Sequence, residues 1–149
     1  MDKHEELLAI EASRDLEDLR QLKARYCRLL DGKDWPVLRG LFTENATFRT
    51  PTIEMDGADQ FIEWVSELLK HAETVHQVTM PEIKLLSAET AEAVWAMWDI
   101  VDHSPEAGRP GFRGYGHYHE RYVKRNGHWL IESWQLTRMR LEPLTLSAP

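Results

Sequence analysis

The spacing of apolar residues changes once along this chain, and that change limits the possible folds more than any other feature. As far as His71, apolar side chains recur mainly at steps of three and four residues, which is typical of amphipathic helices. Beyond His71 the long apolar stretches alternate in steps of two, which is typical of β-strands. Because helices come first and hairpin-type strands follow, we expect an α+β fold. A curved, mostly antiparallel sheet would carry about three helices on its concave face.

Three helices are predicted in the first half of the chain. The first follows a polar, loosely held helical lead-in of about twelve residues and ends near Gly32, which we interpret as its C′ residue. A short second helix spans residues 35–42, and a third spans residues 61–71 after a break at Gly57. Residues 46–50 alternate as a first strand. The apolar stripe of the first helix consists of Leu16, Leu19, Leu22, Tyr26, Leu29 and Leu30.

Four further strands are predicted after the third helix, over residues 76–86, 91–102, 111–125 and 128–141. The last two are joined by Asn126-Gly127, a strong hairpin signal because both residues tolerate positive φ. In the second of the four, alternation places Trp95, Met97, Asp99 and Val101 on one face and Val94, Ala96, Trp98 and Ile100 on the other. Both faces are therefore largely apolar, so we expect the outer one to be covered by another subunit.

Composition excludes several classes of function. The chain of 149 residues fits one domain, residues 1–149, and its net charge of −7 with scattered basic residues argues against nucleic-acid binding. Its polar N-terminus leads into no long apolar stretch, so we expect no signal peptide, no membrane contact and a cytoplasmic location. The single cysteine, Cys27, agrees with a reducing compartment.

Asp31 is the first candidate for chemistry, because it falls at the C-terminus of the first helix, where the macrodipole disfavours a carboxylate. It should therefore have a compensating partner. His76, at the start of a strand, is a candidate: a carboxylate would fix one imidazole tautomer and leave the other nitrogen as a general base. The alternative is that Asp31 is a solvated turn residue and that Tyr26 is a core tyrosine.

A family resemblance supports the catalytic interpretation. The residues that carry it are Tyr26, Asp31-Gly32-Lys33, Trp35, His76, Met80-Pro81-Glu82-Ile83, residues 116–122 (Gly-His-Tyr-His-Glu-Arg-Tyr) and residues 126–129 (Asn-Gly-His-Trp). In this order they resemble the SnoaL-like branch of the NTF2-like superfamily, and within it the scytalone dehydratase and bile acid 7α-dehydratase group. The similarity runs from about residue 13 to residue 140.

The resemblance implies a cone-shaped α+β barrel with a deep pocket and chemistry that needs no cofactor. It implies that His76 is the base, that Asp31 orients it, and that Tyr26 matches a site tyrosine. It also favours a trimer, with a dimer as the second choice. The chain departs from the scytalone dehydratase pattern at Leu30, Thr50, Val101, Gly116 and Tyr118, which argues against scytalone itself as the substrate.

Two other groups of residues leave alternatives open. His117 and His119 share one face of a strand, as metal ligands would, but a solvated or interfacial face is favoured and we expect no metal site. Asp99 and Glu120 occupy inward positions and are either pocket acids or structural partners of Arg138 and Arg121.

The sequence therefore predicts a small lyase, a dehydratase or eliminase acting on a cyclic, mostly apolar hydroxy-carbonyl compound. His76, Asp31 and Tyr26 would be catalytic. The predicted pocket residues are Tyr118, Trp95, Met97, Asp99, Phe48 and Thr50. The alternatives are an isomerase similar to ketosteroid isomerase and a non-catalytic module similar to the small subunits of ring-hydroxylating dioxygenases, because the fold does not fix the function.

Overall fold

In a computed structural model of the protein, which describes residues 2–144, three α-helices pack against a six-stranded sheet. The strands lie in the order β2-β1-β6-β5-β4-β3, antiparallel except for β1 beside β6. The predicted α+β architecture is confirmed. The elements are α1 (Lys3–Asp31), α2 (Trp35–Arg39), β1 (Phe42–Arg49), β2 (Glu54–Asp56), α3 (Ala58–Leu68), β3 (Ala72–Leu85), β4 (Thr90–His103), a 3₁₀ turn (Pro105–Ala107), β5 (Phe112–Arg125) and β6 (His128–Pro143).

The polar lead-in is helical, as predicted, and it forms the first part of α1. Asp2 caps this helix through its carboxylate, which accepts from the backbone N–H groups of His4 and Glu5, and the Glu5 side chain bonds back to the Asp2 backbone N–H. This reciprocal capping box satisfies backbone donors that a helix start leaves unpaired. It allows an exposed, polar turn to remain helical ahead of the packed portion.

The second helix is shorter than predicted and the first strand is longer. Gly40 ends α2, and Phe42, which the helical spacing had included, begins β1. Phe42 pairs with Ile131 of β6, so sheet formation outweighs the local helical pattern there. The short strand β2, which pairs with β1, was not predicted, because three residues are too few to show alternation.

The third helix and third strand also differ from the predicted boundaries. Helix α3 ends at Leu68, and β3 begins at Ala72, four residues before His76. The strand therefore places both Thr74 and His76 on its buried face. Farther along, the pairing with β4 is interrupted between Thr79 and Glu82 by a bulge.

Alternation along β4 follows the predicted pattern. Trp95, Met97, Asp99 and Val101 are all buried, whereas Trp98 on the opposite face is 38% exposed. Helix α3 covers the far part of the concave face, where Phe61 stacks on Phe48 with ring centroids 4.1 Å apart. Burial of each such ring contributes about 1.5–3 kcal/mol to folding.

Within residues 2–144, no helix combines the length and the apolar character needed to cross a bilayer.

Candidate active site

The site begins at the corner that follows α1. Gly32 keeps right-handed helical angles, so it is not the left-handed C′ residue that the sequence suggested; Lys33 takes that role, with φ of 56°. The backbone N–H groups of Lys33 and Asp34 close the corner by donating to the carbonyls of Leu30 and Leu29, at 3.1 and 3.0 Å. Asp31 is thus the last helical residue, at the negative end of the helix dipole.

Three hydrogen bonds from β3 compensate for that position of the Asp31 carboxylate. His76 Nδ1 lies 2.7 Å from Oδ1, the His76 backbone N–H donates to Oδ2 at 2.9 Å, and the Thr74 hydroxyl donates to Oδ1 at 2.9 Å. Because an ionised carboxylate only accepts, the facing Nδ1 carries a proton, and in the neutral ring Nε2 then keeps its lone pair. The structure therefore brings Asp31 and His76 into direct hydrogen-bonding contact.

A second carboxylate lies on the other side of the imidazole. His76 and Asp99 are opposite each other in the β3–β4 pairing, and Asp99 Oδ2 is 3.7 Å from His76 Nε2. Arg138 holds Asp99 through two hydrogen bonds, of 2.5 and 2.9 Å. Burial lowers the pKa of Arg138, but its bonds to Asp99 and the Asp99 charge outweigh burial and leave that pKa above the usual value. We call Asp31, His76, Asp99 and Arg138 the His76 group.

Gly114 makes room for the ion pair of this group. It lies opposite Asp99 in the β4–β5 pairing, and a Cβ atom there would sit 2.0 Å from an Arg138 guanidinium nitrogen and 2.4 Å from Asp99 Oδ1. Of the two arginines considered from sequence, Arg138 is therefore the partner of Asp99, and a larger side chain at Gly114 would separate the pair.

A second set of polar side chains fills the centre of the concave face. The Lys23 ammonium is fully buried, pairs with Glu120 and lies over the rings of Tyr26 and Tyr118, 3.9 and 3.7 Å from their centroids. Glu120 also accepts from the Tyr122 hydroxyl, which in turn accepts from Trp95 Nε1 at 2.9 Å. We call Lys23, Glu120, Tyr122 and Trp95 the Lys23 group.

Lys23 was not among the residues predicted from the sequence. The position itself carried a signal, because Lys23 follows Leu19 by four residues and precedes Tyr26 by three, on the apolar stripe. The proposed partner of Glu120, Arg121, is exposed and lies on the other face of β5. Thr74 was also missed, although its place two residues before His76 puts it on the same face of a strand.

Tyr26 belongs to the aromatic core rather than to the contacts of His76. Its side chain is 1% exposed, its hydroxyl accepts from Trp134 Nε1 at 3.0 Å, and its ring packs edge-on against Tyr118 and Phe42. Burial raises the pKa of Tyr26 well above its usual value, so the phenol stays protonated.

The predicted pocket residues have different surroundings. Met97 and Asp99 lie beside Arg138, with Met97 Sδ 3.8 Å from the guanidinium. Tyr118, Trp95 and Phe48 are buried in the packed interior. The Thr50 hydroxyl accepts from the backbone N–H groups of the turn that follows β1, so its role there is to stabilise the turn.

A cavity of about 300 Å³ opens beside Asp31 and His76, between α1 and β3. Cys27, on its wall, is 8% exposed, and burial raises the pKa of its thiol to about 11. Tyr26 and Tyr118 are not among the residues that line this cavity. Its walls consist of Ala24, Cys27, Arg28, Asp31, His76, Gln77 and Val78.

The two outward histidines of β5 lie apart from this cavity. The rings of His117 and His119 are 6.3 Å apart, and His119 Nε2 is 3.1 Å from the Thr137 hydroxyl. Among residues 2–144, no three histidine, cysteine, aspartate or glutamate side chains are grouped as metal ligands would be.

Comparison with known proteins agrees with this architecture. A probable cyclase of Gibberella zeae is 25% identical over 133 residues, an alignment that covers 81% of this chain and 89% of that protein. The crystal structure of a putative scytalone dehydratase from Novosphingobium aromaticivorans matches with a TM-score of 0.83 at 20% identity, over 94% of each chain. Hexachlorocyclohexane dehydrochlorinase LinA-type3 from Novosphingobium barchaimii matches with a TM-score of 0.81 at 14% identity, over 95% of this chain and 99% of that one.

At these identities the likeness between the structures concerns the fold alone. The model of the SnoaL-like domain family, however, matches residues 11–135, which include most of α1, the corner at Asp31 and all of β3, β4 and β5. The chain therefore belongs to the SnoaL-like domain family.

Proposed function

We propose that this protein is a cofactor-independent lyase that removes the proton next to a carbonyl of a small, cyclic, largely apolar hydroxy compound and expels the hydroxyl group. The observation that carries the proposal is the 2.7 Å contact between His76 Nδ1 and Asp31 Oδ1, which leaves Nε2 free to accept a proton. The similar proteins include a putative scytalone dehydratase, a hexachlorocyclohexane dehydrochlorinase and a probable cyclase, which supports small-molecule chemistry of this kind.

In the proposed reaction the His76 group handles the proton. Nε2 of His76 takes the α-proton, and the electron pair of that C–H bond forms the enolate. The resulting imidazolium lies between the carboxylates of Asp31 and Asp99, which stabilise its positive charge. Collapse of the enolate breaks the C–O bond at the adjacent carbon, and the departing hydroxide takes up the proton held by the His76 imidazolium and leaves as water, which returns His76 to the neutral base. The products are an unsaturated carbonyl compound and one water molecule.

Tyr26 is proposed as the hydrogen-bond donor to the enolate oxygen or to the departing hydroxyl. Its raised pKa keeps the proton that such a donor needs. Because Tyr26 is 1% exposed and does not line the cavity beside His76, a substrate can reach its hydroxyl only if the surrounding packing opens. Activity should therefore depend on motion of α1 relative to β3, between which the cavity lies.

The test is proton exchange in D₂O with a panel of cyclic hydroxy ketones, followed by ¹H NMR. We expect wild-type protein to replace the α-proton of a substrate with deuterium and to form the unsaturated ketone. His76→Gln should do neither. Exchange that proceeds equally well with His76→Gln would contradict the role assigned to this residue. Exchange without loss of water would instead indicate the isomerase alternative, which shares the first step.

One observation favours a second candidate, a non-catalytic binding or assembly module. The centre of the concave face, where a deep pocket was expected, is filled by Lys23 and by the rings of Tyr26 and Tyr118. The same NMR experiment separates the two functions. A module would shift or broaden ligand signals on binding and leave the α-protons unexchanged for every compound of the panel.

A further inference from the structure

A second cavity, of about 480 Å³, lies at the end of the sheet where β3 begins and β4 ends. The corner after α1, the segment after α3 and the start of the 3₁₀ turn close around it. We call it the His103 cavity. Its walls consist of Lys33, Lys70, His71, Ala72, Glu73, Asp102, His103, Ser104 and Pro105.

Two polar atoms in this cavity have no hydrogen-bond partner within residues 2–144, namely His103 Nδ1 and Ser104 Oγ. The His103 side chain is 7% exposed, so bulk water does not replace the missing partner of its ring nitrogen. Buried polar atoms are almost always paired in folded proteins, because leaving one unpaired is costly. Two such atoms on adjacent residues of one cavity indicate that a ligand completes it.

The chemistry of the walls indicates what that ligand carries. Burial and the nearby Arg109 lower the pKa of His103, against the opposing effect of Asp102, so the ring is neutral and can present an N–H at Nδ1. Ser104 can donate its hydroxyl proton. Lys33 brings an ammonium group to the same cavity, where it donates to the Ala72 carbonyl at 2.6 Å and keeps two further N–H groups. All three groups are donors.

Two residues of the walls, Glu73 and Asp102, are acidic, and a third acid, Glu106, lies outside the walls. Glu73 and Asp102 are exposed and alternate with the buried Ala72 and His103, so they point to the opposite face of the sheet. Glu106, on the 3₁₀ turn, is fully exposed; the Ser104 side chain is close enough to lower the pKa of Glu106, although it forms no hydrogen bond of normal geometry with it. Glu106 can therefore act as a competing anion at the rim.

We propose that the His103 cavity binds a phosphate or carboxylate group, with His103 Nδ1–H and Ser104 Oγ–H donating to its oxygens and Lys33 supplying positive charge. This site is distinct from the His76 group. His103 and Asp99 share the inner face of β4, and four residues of strand separate them by about 13 Å. The proposal does not depend on the lyase reaction, so either can fail without the other.

The experiment is calorimetric titration of the full-length protein with inorganic phosphate and with acetate. We expect saturable binding of at least one of these anions at one site per chain. His103→Asn, Ser104→Ala and Lys33→Asn should each weaken it about tenfold, the effect of losing one hydrogen bond to a charged group. Asparagine is chosen at Lys33 because it tolerates positive φ. Lys84→Gln, which removes an exposed cation from a different surface, should leave the affinity unchanged.

Removing the charge of Glu106, the competing anion, should change the affinity for phosphate in the opposite direction. Glu106→Gln should tighten phosphate binding severalfold, whereas Glu89→Gln, the same change at a distant turn, should have no effect. Absence of saturable binding of both anions at tens of millimolar would overturn the proposal. So would binding that His103→Asn, Ser104→Ala and Lys33→Asn leave unaltered. If His103→Asn does not fold, the other two variants carry the same test.

Phenyl phosphate tests whether the bound acidic group is a free anion or part of a larger organic ligand. If the group belongs to a larger organic ligand, phenyl phosphate should bind at least tenfold more tightly than inorganic phosphate, because its ring can pack against the apolar walls at Ala72 and Pro105. Equal affinities would identify a free anion as the ligand. In either case binding requires the His103 cavity, and the affinity for phenyl phosphate should fall about tenfold in the Ser104→Ala and Lys33→Asn variants, as it does for inorganic phosphate.

Discussion

The His76 group and the Lys23 group are both sets of charged side chains on the concave face, and both include a residue of α1. They differ in whether every polar atom has a partner inside the protein. In the Lys23 group each acid, ammonium, hydroxyl and indole N–H has a partner inside the protein, and Lys23 and Glu120 have no exposed side-chain surface. In the His76 group Asp31 is 25% exposed and His76 Nε2 keeps a lone pair beside a cavity. A satisfied, sealed network stabilises a fold, whereas an open one has a group available for chemistry.

The comparison is tested first by changing Asp31, the acid in the His76 group, which is the open one. Asp31→Asn should lower kcat/KM on whichever substrate the NMR panel identifies by about 10²–10⁴, because an amide can present the wrong edge to His76 and does not stabilise the imidazolium. His76→Gln should remove nearly all turnover. The measurement is steady-state kinetics over a range of pH.

The matched control for these variants is the pair of outward histidines. The double variant His117→Gln/His119→Gln should keep both the rate and its pH profile. If that double variant were inactive or dependent on added metal while His76→Gln stayed active, the His76 group would not be the catalytic one. Activity of Asp31→Asn within a factor of about three of wild type would remove Asp31 from the mechanism.

Substitutions in the Lys23 group, which is the closed one, should change the stability of the fold instead of the activity. Lys23→Met leaves Glu120 as an unpaired buried acid and should lower the free energy of unfolding by about 3–5 kcal/mol. Adding Glu120→Gln in the same chain removes the unpaired charge and should recover part of the loss. Urea unfolding followed by tryptophan fluorescence measures both. A Lys23→Met chain as stable as wild type would show that the pair contributes nothing to the fold.

These two groups also show how much of the site can be predicted from the sequence. Alternation along β4 identified the inner face, including Trp95 and Asp99, because burial of one face imposes a period of two on a strand. The Asp31 corner was found because a carboxylate at a helix C-terminus requires a partner. Which strand supplies that partner is a long-range property, and His76 was assigned to it through resemblance to a family.

What the sequence could not supply depends on packing between distant elements. The pairing of Lys23 with Glu120 joins residues 97 positions apart, and local patterns carry no information about which charges meet at such separations. The expected deep pocket is occupied by side chains of that pairing. Phe42 was assigned to a helix because its spacing fits one, and only the parallel contact with β6 places it in a strand.

The outer face of β4 gives a smaller test, since it should affect assembly and leave both groups intact. Val94, Trp98 and Ile100 lie on that face, and Trp98 is 38% exposed. We predict a homo-oligomer, a trimer before a dimer, which light scattering at micromolar concentration would show as a mass several times 17.4 kDa. Trp98→Glu should shift the mass toward that of one chain. A wild-type mass of 17.4 kDa would contradict the prediction.

The smallest expected effect is on the alkylation rate of Cys27. This residue lies one helical turn from Lys23 on one side and from Asp31 on the other, so the reactivity of its thiol depends on both groups. Burial raises the pKa of its thiol to about 11, Lys23 acts in the lowering direction, and Asp31 and Glu120 act in the raising direction. Since only the thiolate reacts with iodoacetamide, about one thiol in a thousand is reactive at pH 8, and alkylation should accelerate roughly tenfold per pH unit above that.

The two charge changes should move this rate in opposite directions. Asp31→Asn removes a negative charge, lowers the pKa of Cys27 and should speed alkylation at pH 8, whereas Lys23→Met removes the positive charge and should slow it. Mass spectrometry of timed samples, at a temperature where both variants are folded, measures the rates. If both substitutions speed the reaction, the thiol is reporting loosened packing of α1 instead of charge, and the contrast between an open and a closed group would lose this support.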